Sequence, residues 1–393
     1  MDVNIINGDK ITVELIGRLD TSSVEEFDEE VAEVIADDND VVFDCKDLEY
    51  ISSSGLRVLL TLRKRFADFR MTEVRPDVYS VLEMTGFTKM MTVERALREL
   101  SVDGCEEIGR GGVGVVYRIN DDTIIKVFRE GTDISEVQRE ITMAKEAFVL
   151  GMPTAISFDV VRVGSQYGLV YELLKAETLS TIIAHDTAHL DDYAHLYADL
   201  FRQLHSIEVA QPSRIPSVIE REVDAVRHIG RYFDAASIDL LLEIVNAIPQ
   251  ANRLLHSDLQ TRNAMMQNGE LMLIDMGEVG YGHPMIDLGH AHSAMVAFIG
   301  DYEKVTCMPR EVGKSLWQKT MRYYFEGLAE PDFNHRMEQI ETVGVVRNFS
   351  WMALSDSFPE EVVKECQQSF SERVLKHKDR LLDISKTFHD WTL

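Results

Sequence analysis

Apolar and polar positions along the first hundred residues recur alternately with the periods of strand and helix. Ile11-Thr12-Val13-Glu14-Leu15 alternates with period two, which predicts a half-buried strand. Thr21, Ser22 or Ser23 can cap a helix predicted over Glu25 to Ala36. Val41-Val42-Phe43 is a continuous apolar run, the mark of a strand buried on both faces. Leu56, Leu59, Leu60 and Arg63 share one helical face and predict a helix from Ser54 to Phe66. Arg70 to Val74 reads as another strand, and Asp77 to Met84 as a helix closed by Gly86. Strands alternating with helices make this a βαβ-type α/β unit with a largely parallel sheet.

From about residue 101 the pattern changes. A hairpin is predicted from Cys105 to Phe128 around the turn Asn120-Asp121-Asp122, followed by a helix and a strand pair near Ala155 to Leu174. The remainder is mainly helical. No Pro-, Gly- or Ser-rich linker separates the two parts, so the boundary is placed within Leu97–Val102. No internal repeat or low-complexity segment is found.

Composition narrows the function classes. The chain has 393 residues, 45% apolar and 27% charged, which suits two globular domains with sizeable cores. Its 40 basic and 67 acidic side chains give −27. The acidity is spread, since residues 1–100 alone carry 12 basic and 22 acidic groups. Such a surface repels phosphate backbones and anionic lipid, which argues against nucleic-acid or membrane docking as the main activity. A cationic substrate would suit it, as would plain solubility. Cys45, Cys105, Cys307 and Cys366 lie far apart, so neither a disulfide framework nor a zinc site is expected. MDVNIINGDK has no basic or apolar leader region, and no run reaches the ~18 apolar residues of a spanning helix. A soluble, cytoplasmic protein is the expectation.

The chemistry concentrates after residue 105. Gly109-Arg110-Gly111-Gly112-Val113-Gly114 fits G-x-G-x-x-G, which dinucleotide-binding folds share. There, however, the glycines open a helix; here they precede the strand Val115-Val116-Tyr117-Arg118-Ile119. Glycines at a strand-to-strand turn let backbone N–H groups approach a triphosphate without Cβ clashes. Lys126 follows on Thr123–Phe128, flanked by β-branched residues, where a lysine needs a charged partner and a ligand. The alternative is a surface lysine on an edge strand. Asp133-Ile134-Ser135-Glu136 has the shape of a capping box opening a helix with the stripe Val137, Ile141, Ala144 and Phe148. With Glu136 engaged by the cap, Glu140 is the candidate partner of Lys126; its alternative is a solvated helix glutamate. The strand Tyr167–Leu174 then stops at Lys175, and its end can offer the Glu172 carbonyl and Leu174 amide to an adenine edge.

The segment His256-Ser257-Asp258-Leu259-Gln260-Thr261-Arg262-Asn263 fits H-x-D-x-x-x-x-N, and twelve residues on the strand Leu271–Ile274 ends in Asp275-Met276-Gly277. A carboxylate beside a hydroxyl acceptor can take its proton, which gives Asp258 the role of base. Asn263 and Asp275 supply the hard-oxygen pair that Mg²⁺ prefers, completed by waters and phosphates.

These residues resemble the protein-kinase-like fold over about residues 101–300, and within it the aminoglycoside phosphotransferase and choline kinase branch. Two features direct the resemblance to that branch. Gln260 stands where protein kinases usually carry a lysine, and the stretch from Asp275 to Asp287 leaves no room for a peptide-binding activation segment. The resemblance implies an α+β bilobal domain over residues 99–393, with an N-lobe at about 101–174 and a helical C-lobe at 175–393. It implies ATP and Mg²⁺ as cofactors and a hydroxyl-bearing acceptor. Gly109, Gly111, Gly112, Gly114, Val116, Lys126, Glu172 and Leu174 would contact nucleotide, and Asp287 would brace the catalytic loop. Ser257 departs from the branch, which commonly has glycine there. His205 is a helix-end structural residue in this branch, and His283, His290 and His292 read as packing or loop residues.

Residues 1–98 resemble a STAS domain, the fold of anti-sigma-factor antagonists, through the stretch Phe43 to Leu60. That likeness implies a regulatory or interaction role and a protein partner. A serine before the helix is phosphorylated in that family, and Ser53 occupies the place; a phosphate there would face unpaired N–H groups and the positive dipole end. Serines at such positions also simply cap helices. The expectation is an ATP- and Mg²⁺-dependent phosphotransferase acting on a hydroxyl of a small molecule; the alternative is a partner-switching regulator whose kinase-like domain phosphorylates a protein, Ser53 being one candidate, or senses nucleotide.

Overall fold

The computed structural model describes residues 1–7, 11–34, 41–66, 69–300, 302–355 and 357–391. The chain divides into two compact units, Met1–Leu100 and Ser101–Leu393.

The first unit runs β1 (Asp2–Asn7), β2 (Ile11–Leu19), α1 (Val24–Val34), β3 (Val41–Asp44), β4 (Leu48–Ile51), α2 (Ser53–Arg65), β5 (Phe69–Val74), α3 (Pro76–Met84) and β6 (Thr92–Arg95). The sheet order is β1-β2-β3-β5-β6, with β4 also on β2. β2, β3, β5 and β6 pair parallel, as helical crossovers require. Inward residues of the sheet, among them Val13, Leu15, Phe43 and Met71, pack with Phe27, Leu59 and Leu62. Three details differ from expectation. β1 adds an antiparallel edge that its polar-broken sequence did not announce. Val42 is only half-buried, so β3 buries one face and not two. The inner face of α2 is Gly55, Leu59 and Leu62, because a Cβ at Gly55 would lie 2.6 Å from the Leu19 carbonyl oxygen and only glycine lets the helix cross β2. The predicted end of α1 at Ala36 lies outside the described residues.

The second unit opens with β7 (Glu106–Arg110), β8 (Gly114–Arg118), β9 (Thr123–Phe128), α4 (Ile134–Val149), β10 (Ser157–Val163) and β11 (Gln166–Glu172). These strands form an antiparallel sheet in the order β7-β8-β9-β11-β10. The predicted hairpin is thus three strands, with the glycines at the first turn and Asn120–Asp122 at the second. β9 is a central strand, flanked by β8 and β11, which removes the edge-strand reading of Lys126. On α4, Val137, Ile141 and Ala144 are buried but Phe148 is exposed; Met143 and Ala147 fill the inner face instead. Helical geometry allows either the i+3 or the i+4 neighbour to face inward, and the small Ala147 takes that place in the core that also holds Met143 and Met152.

Downstream lie β12 (Glu177–Thr178), α5 (Leu179–His185), α6 (Leu190–Ser206), α7 (Val218–His228) and α8 (Ala235–Asn246). Four short strands follow: β13 (Arg253–Leu255), β14 (Ala264–Gln267), β15 (Glu270–Leu273) and β16 (Gly280–Gly282). Then come α9 (Pro284–Met295), α10 (Tyr302–Thr306), α11 (Arg310–Tyr324), α12 (Glu330–Ser350), α13 (Glu360–Arg373) and α14 (Lys378–Ser385). The region is helical as expected, but the loops that matter hang from the β14–β15 hairpin and the β13–β16 pair. No helix among the described residues is long and apolar enough to cross a membrane.

Candidate active site

At the turn between β7 and β8, Gly111 N donates to the Gly114 carbonyl at 2.9 Å. A Cβ on Gly114 would sit 2.2 Å from the Val127 carbonyl oxygen, so glycine is obligatory there. Around Gly111 and Gly112 the space is open, which leaves their backbone approachable. Val116, next along β8, pairs with Lys126 in register.

Lys126 joins three elements. Its Nζ donates to Glu140 Oε1 and Oε2 at 2.9 and 3.0 Å and to Asp275 Oδ1 at 3.2 Å. The side chains of Lys126 and Glu140 are only 14% and 8% exposed, whereas that of Asp275 is 46% exposed. Burial alone would lower the ammonium pKa, but the Asp275 and Glu140 carboxylates outweigh it and hold it above its ordinary value. Tyr171, a residue the sequence did not single out, donates its hydroxyl to Glu140 Oε1 at 2.8 Å. Burial, with the Glu140 charge, pushes that phenol well above its usual range. The capping reading also holds in part: the Asp133 carboxylate accepts from Ser135 N at 2.8 Å, while Glu140 turns inward.

β11 ends at Glu172, and Leu173 N donates to the Asp122 carbonyl, which puts Glu172 and Leu174 on the other side of the extended segment. A cavity of about 470 Å³ lies just past this point, lined by Lys175, Ala176, Glu177, Ile182 and Met266.

The Asp258 loop is held by many hydrogen bonds. Asn263 Nδ2 donates to the Asp258 carbonyl and to Oδ2, both at 2.9 Å, and Gln260 Nε2 donates to both carboxylate oxygens at 3.1–3.2 Å. Burial raises the Asp258 carboxyl above the ordinary aspartate value, and the Asp275 charge adds to it against the opposing pull of Arg347 and His256. His256 accepts from Asp258 N through Nδ1 and donates through Nε2 to the Ile274 carbonyl at 3.1 Å, tying this loop to the residue before Asp275. Tyr197 donates to the Leu259 carbonyl at 2.7 Å.

Two backbone positions explain the glycine question. Ser257 has φ +65° and Asp275 φ +65°, in the left-handed region that glycine occupies without strain. Ser257 N and His256 N are bound by the two oxygens of buried Asp287, which also faces His205 Nε2 at 3.3 Å. Burial would raise the Asp287 carboxyl, but the His205 contact and the backbone donors keep it below its usual value. His283 caps α9, accepting from Met285 N, and burial lowers both His283 and His292 to about 4.

Asn263 and Asp275 neighbour each other through the bond from Ile274 N to the Asn263 carbonyl. Among the described residues no group of three or more His, Cys, Asp or Glu gathers as a metal cage. A two-oxygen donor set of amide and half-exposed carboxylate suits Mg²⁺, which keeps waters and substrate oxygens in its shell.

In the first unit, Ser52 and not Ser53 is the cap of α2: its Oγ accepts from Gly55 N at 3.2 Å. Ser53 is exposed at the first helical position.

Comparisons place both halves. Residues 1–100 match the STAS domain, and residues 104–306 match the phosphotransferase enzyme family. A Bordetella bronchiseptica protein named as an anti-sigma factor antagonist, BtrV, is 34% identical over 84 residues, covering 20% of this chain and 72% of that one. Solved structures similar to the chain include ADP-bound aminoglycoside phosphotransferase APH(2'')-Ib, at 14% identity, 79% and 98% coverage of the two chains and a TM-score of 0.46. A choline/ethanolamine kinase family protein from Mesorhizobium loti is 15% identical, with 72% and 92% coverage and a TM-score of 0.47. The assignment rests not on those two likenesses but on the match that spans just over half of the chain. The chain belongs to the phosphotransferase enzyme family, with a STAS domain ahead of its phosphotransferase domain.

Proposed function

We propose that residues 101–393 transfer the γ-phosphoryl group of ATP to a hydroxyl of a small acceptor, in a Mg²⁺-dependent reaction. The observation that carries the reading is Lys126, which binds both Glu140 and Asp275 and so links the glycine-loop sheet to the Asp258 side of the unit. Backbone N–H groups from Gly109 to Gly114 would cover the phosphates, with Val116 against the base and the Glu172 carbonyl and Leu174 amide reading its edge. Lys126, oriented by Glu140, neutralises phosphate charge. Asn263 and Asp275 would hold Mg²⁺, which when bound supplies charge compensation between phosphate oxygens. Asp258 orients the acceptor hydroxyl and takes its proton; its raised carboxyl strengthens it as a base. Catalysis is then mostly placement and electrostatics. The net charge of −27 favours an amine-bearing acceptor.

The test is ADP release from MgATP across a panel of amino sugars, amino alcohols and sugars. Turnover with one acceptor, lost in Asp258→Asn and Asp275→Ala, supports the reading. Absence of MgATP-dependent thermal stabilisation in the wild type, or equal stabilisation in Asp275→Ala, overturns it.

One observation favours a second, regulatory reading: because Ser52 takes the cap, the Ser53 hydroxyl stands exposed at the α2 N-terminus, where a phosphate meets unpaired N–H groups. In that reading the STAS unit docks a protein partner and Ser53 is phosphorylated. Incubation with labelled ATP and mass spectrometry decides it. Label on Ser53 of the wild type but not of Asp258→Ala makes the chain its own substrate.

A further inference from the structure

Asp287 accounts for the N–H side of the catalytic loop; the carbonyl side is held by a residue that the sequence gave no reason to choose. His290 Nδ1 lies 2.8 Å from the Ser257 carbonyl oxygen, so this nitrogen donates. His290 sits three residues after Asp287 on α9, hence on the same helix face. One helix face therefore offers a carboxylate to two consecutive N–H groups and an imidazole N–H to the following C=O. The other ring nitrogen, Nε2, is 3.3 Å from Glu222 Oε1 on α7. Glu222 accepts from Ser350 Oγ at 2.9 Å and pairs with Arg347 Nη1 at 3.5 Å, both on α12. His290 and Glu222 are 5% and 4% exposed.

The packing that assembles this chain is specific. A Cβ on Gly344 would lie 2.8 Å from the Gly289 carbonyl oxygen, and one on Gly289 would lie 2.7 Å from Val343. α9 and α12 thus cross with backbones nearly touching, which brings Arg347 and Ser350 within reach of the same carboxylate as His290. Burial opposes the Glu222 charge, but His290, then Arg347 and Ser350, outweigh it and hold the carboxyl at about 2. An ionised group buried this deeply demands such partners.

What needs holding is the peptide between Ser257 and Asp258. At φ +65° a non-glycine residue is strained and persists only where its surroundings over-determine it. The Ser257 hydroxyl does not help, being buried with no hydrogen-bond partner among the described residues. If the peptide turned, the Asp258 carboxylate would turn with it.

Resting on the phosphotransfer reading above, we propose that His290 and Glu222 are positioning residues for Asp258: His290 fixes the Ser257 carbonyl, and Glu222 fixes His290.

The variants are chosen by which ring nitrogen they imitate. His290→Asn puts an amide near the Nδ1 position and keeps the bond to Ser257; His290→Gln puts one near Nε2 and loses it. Two readouts on the full chain are used: ADP release from MgATP, with the panel's acceptor or with water in its place, and amide hydrogen exchange of the peptide spanning 256–263. His290→Gln is expected to lower kcat about 100-fold, the scale of a 1 Å misplacement, with the KM for ATP within about twofold. His290→Asn is expected to retain kcat within about fivefold, and Glu222→Gln to lower it about tenfold. The 256–263 peptide should exchange faster in His290→Gln and Glu222→Gln than in His290→Asn. Equal kcat losses in His290→Asn and His290→Gln, tracking thermal stability, overturn the proposal, as does unchanged exchange in His290→Gln. If the wild type releases no ADP, the phosphotransfer reading falls by itself. The exchange data then still decide whether His290 holds the loop.

Discussion

Lys126 and Glu140 provide the sharpest energetic test of the site. Both side chains are nearly buried, and the ammonium bonds both carboxylate oxygens at 2.9 and 3.0 Å. Replacing Lys126 by Met leaves Glu140 charged in a dry place, with the Tyr171 hydroxyl as its remaining hydrogen-bond partner among the described residues. Removing one partner of such a buried pair typically costs about 3–5 kcal/mol, because the remaining charge is uncompensated. Glu140→Gln should lose less, since the half-exposed Asp275 still faces Lys126 across 3.2 Å. Its cost should be about 2–3 kcal/mol, allowing for screening of the surviving contact. The double variant Lys126→Met/Glu140→Gln buries no unpaired charge and should be less destabilised than the sum of the singles by about 2–3 kcal/mol. Trp317, Trp351 and Trp391 are the three tryptophans of the chain, all within Ser101–Leu393, so their fluorescence in a urea titration follows the second unit without signal from the first. Single variants each costing below about 1 kcal/mol, with additive effects, would refute the picture of a desolvated, mutually dependent pair.

Further outcomes follow from the same geometry. Because burial and the Asp275 carboxylate raise the Asp258 carboxyl, ionising it works against the folded state; Asp258→Asn should therefore be more stable than wild type at neutral pH while transferring no phosphate, the gain fading as pH falls through the raised value toward the ordinary aspartate value of 3.8, which urea titrations at pH 7 and pH 4 will check. Glu222 runs the other way. Its carboxyl falls from 4.5 to about 2, so its contribution is complete above pH 4.5 and lost between there and about 2; Glu222→Gln should remove roughly 3 kcal/mol of acid-dependent stability over that window. In the first unit, Ser52→Ala should destabilise by about 1 kcal/mol through loss of the α2 cap, and Ser53→Ala by little, measured by thermal unfolding of the full chain.

The residues of the candidate site were legible in the sequence wherever the proposed chemistry is local. The glycine turn before a strand, the eight-residue run from His256 to Asn263 and Asp275 at a strand end each lie within one loop, where spacing alone reports geometry. Helix and strand periods likewise revealed the α/β character of the first unit and the change near residue 101. Other features depended on which elements come to lie side by side. β9 being central and not an edge strand depends on β11 pairing with it, and nothing in Thr123–Phe128 states that. Tyr171 reached Glu140 because of the same pairing, and Ser52 took the cap that three neighbouring serines could equally have offered. Ala147 faces the core and Phe148 solvent, a choice between neighbours that the apolar stripe alone left open. His290 looked like one histidine of three until packing set it between the Ser257 carbonyl of the Asp258 loop and the Glu222 carboxylate of α7, itself paired with Arg347 of α12. Spacing along a chain encodes what neighbours in sequence can do together. Hydrogen-bond partners of a buried polar group are set by desolvation, which acts on whatever the packed helices and strands happen to bring within 3 Å.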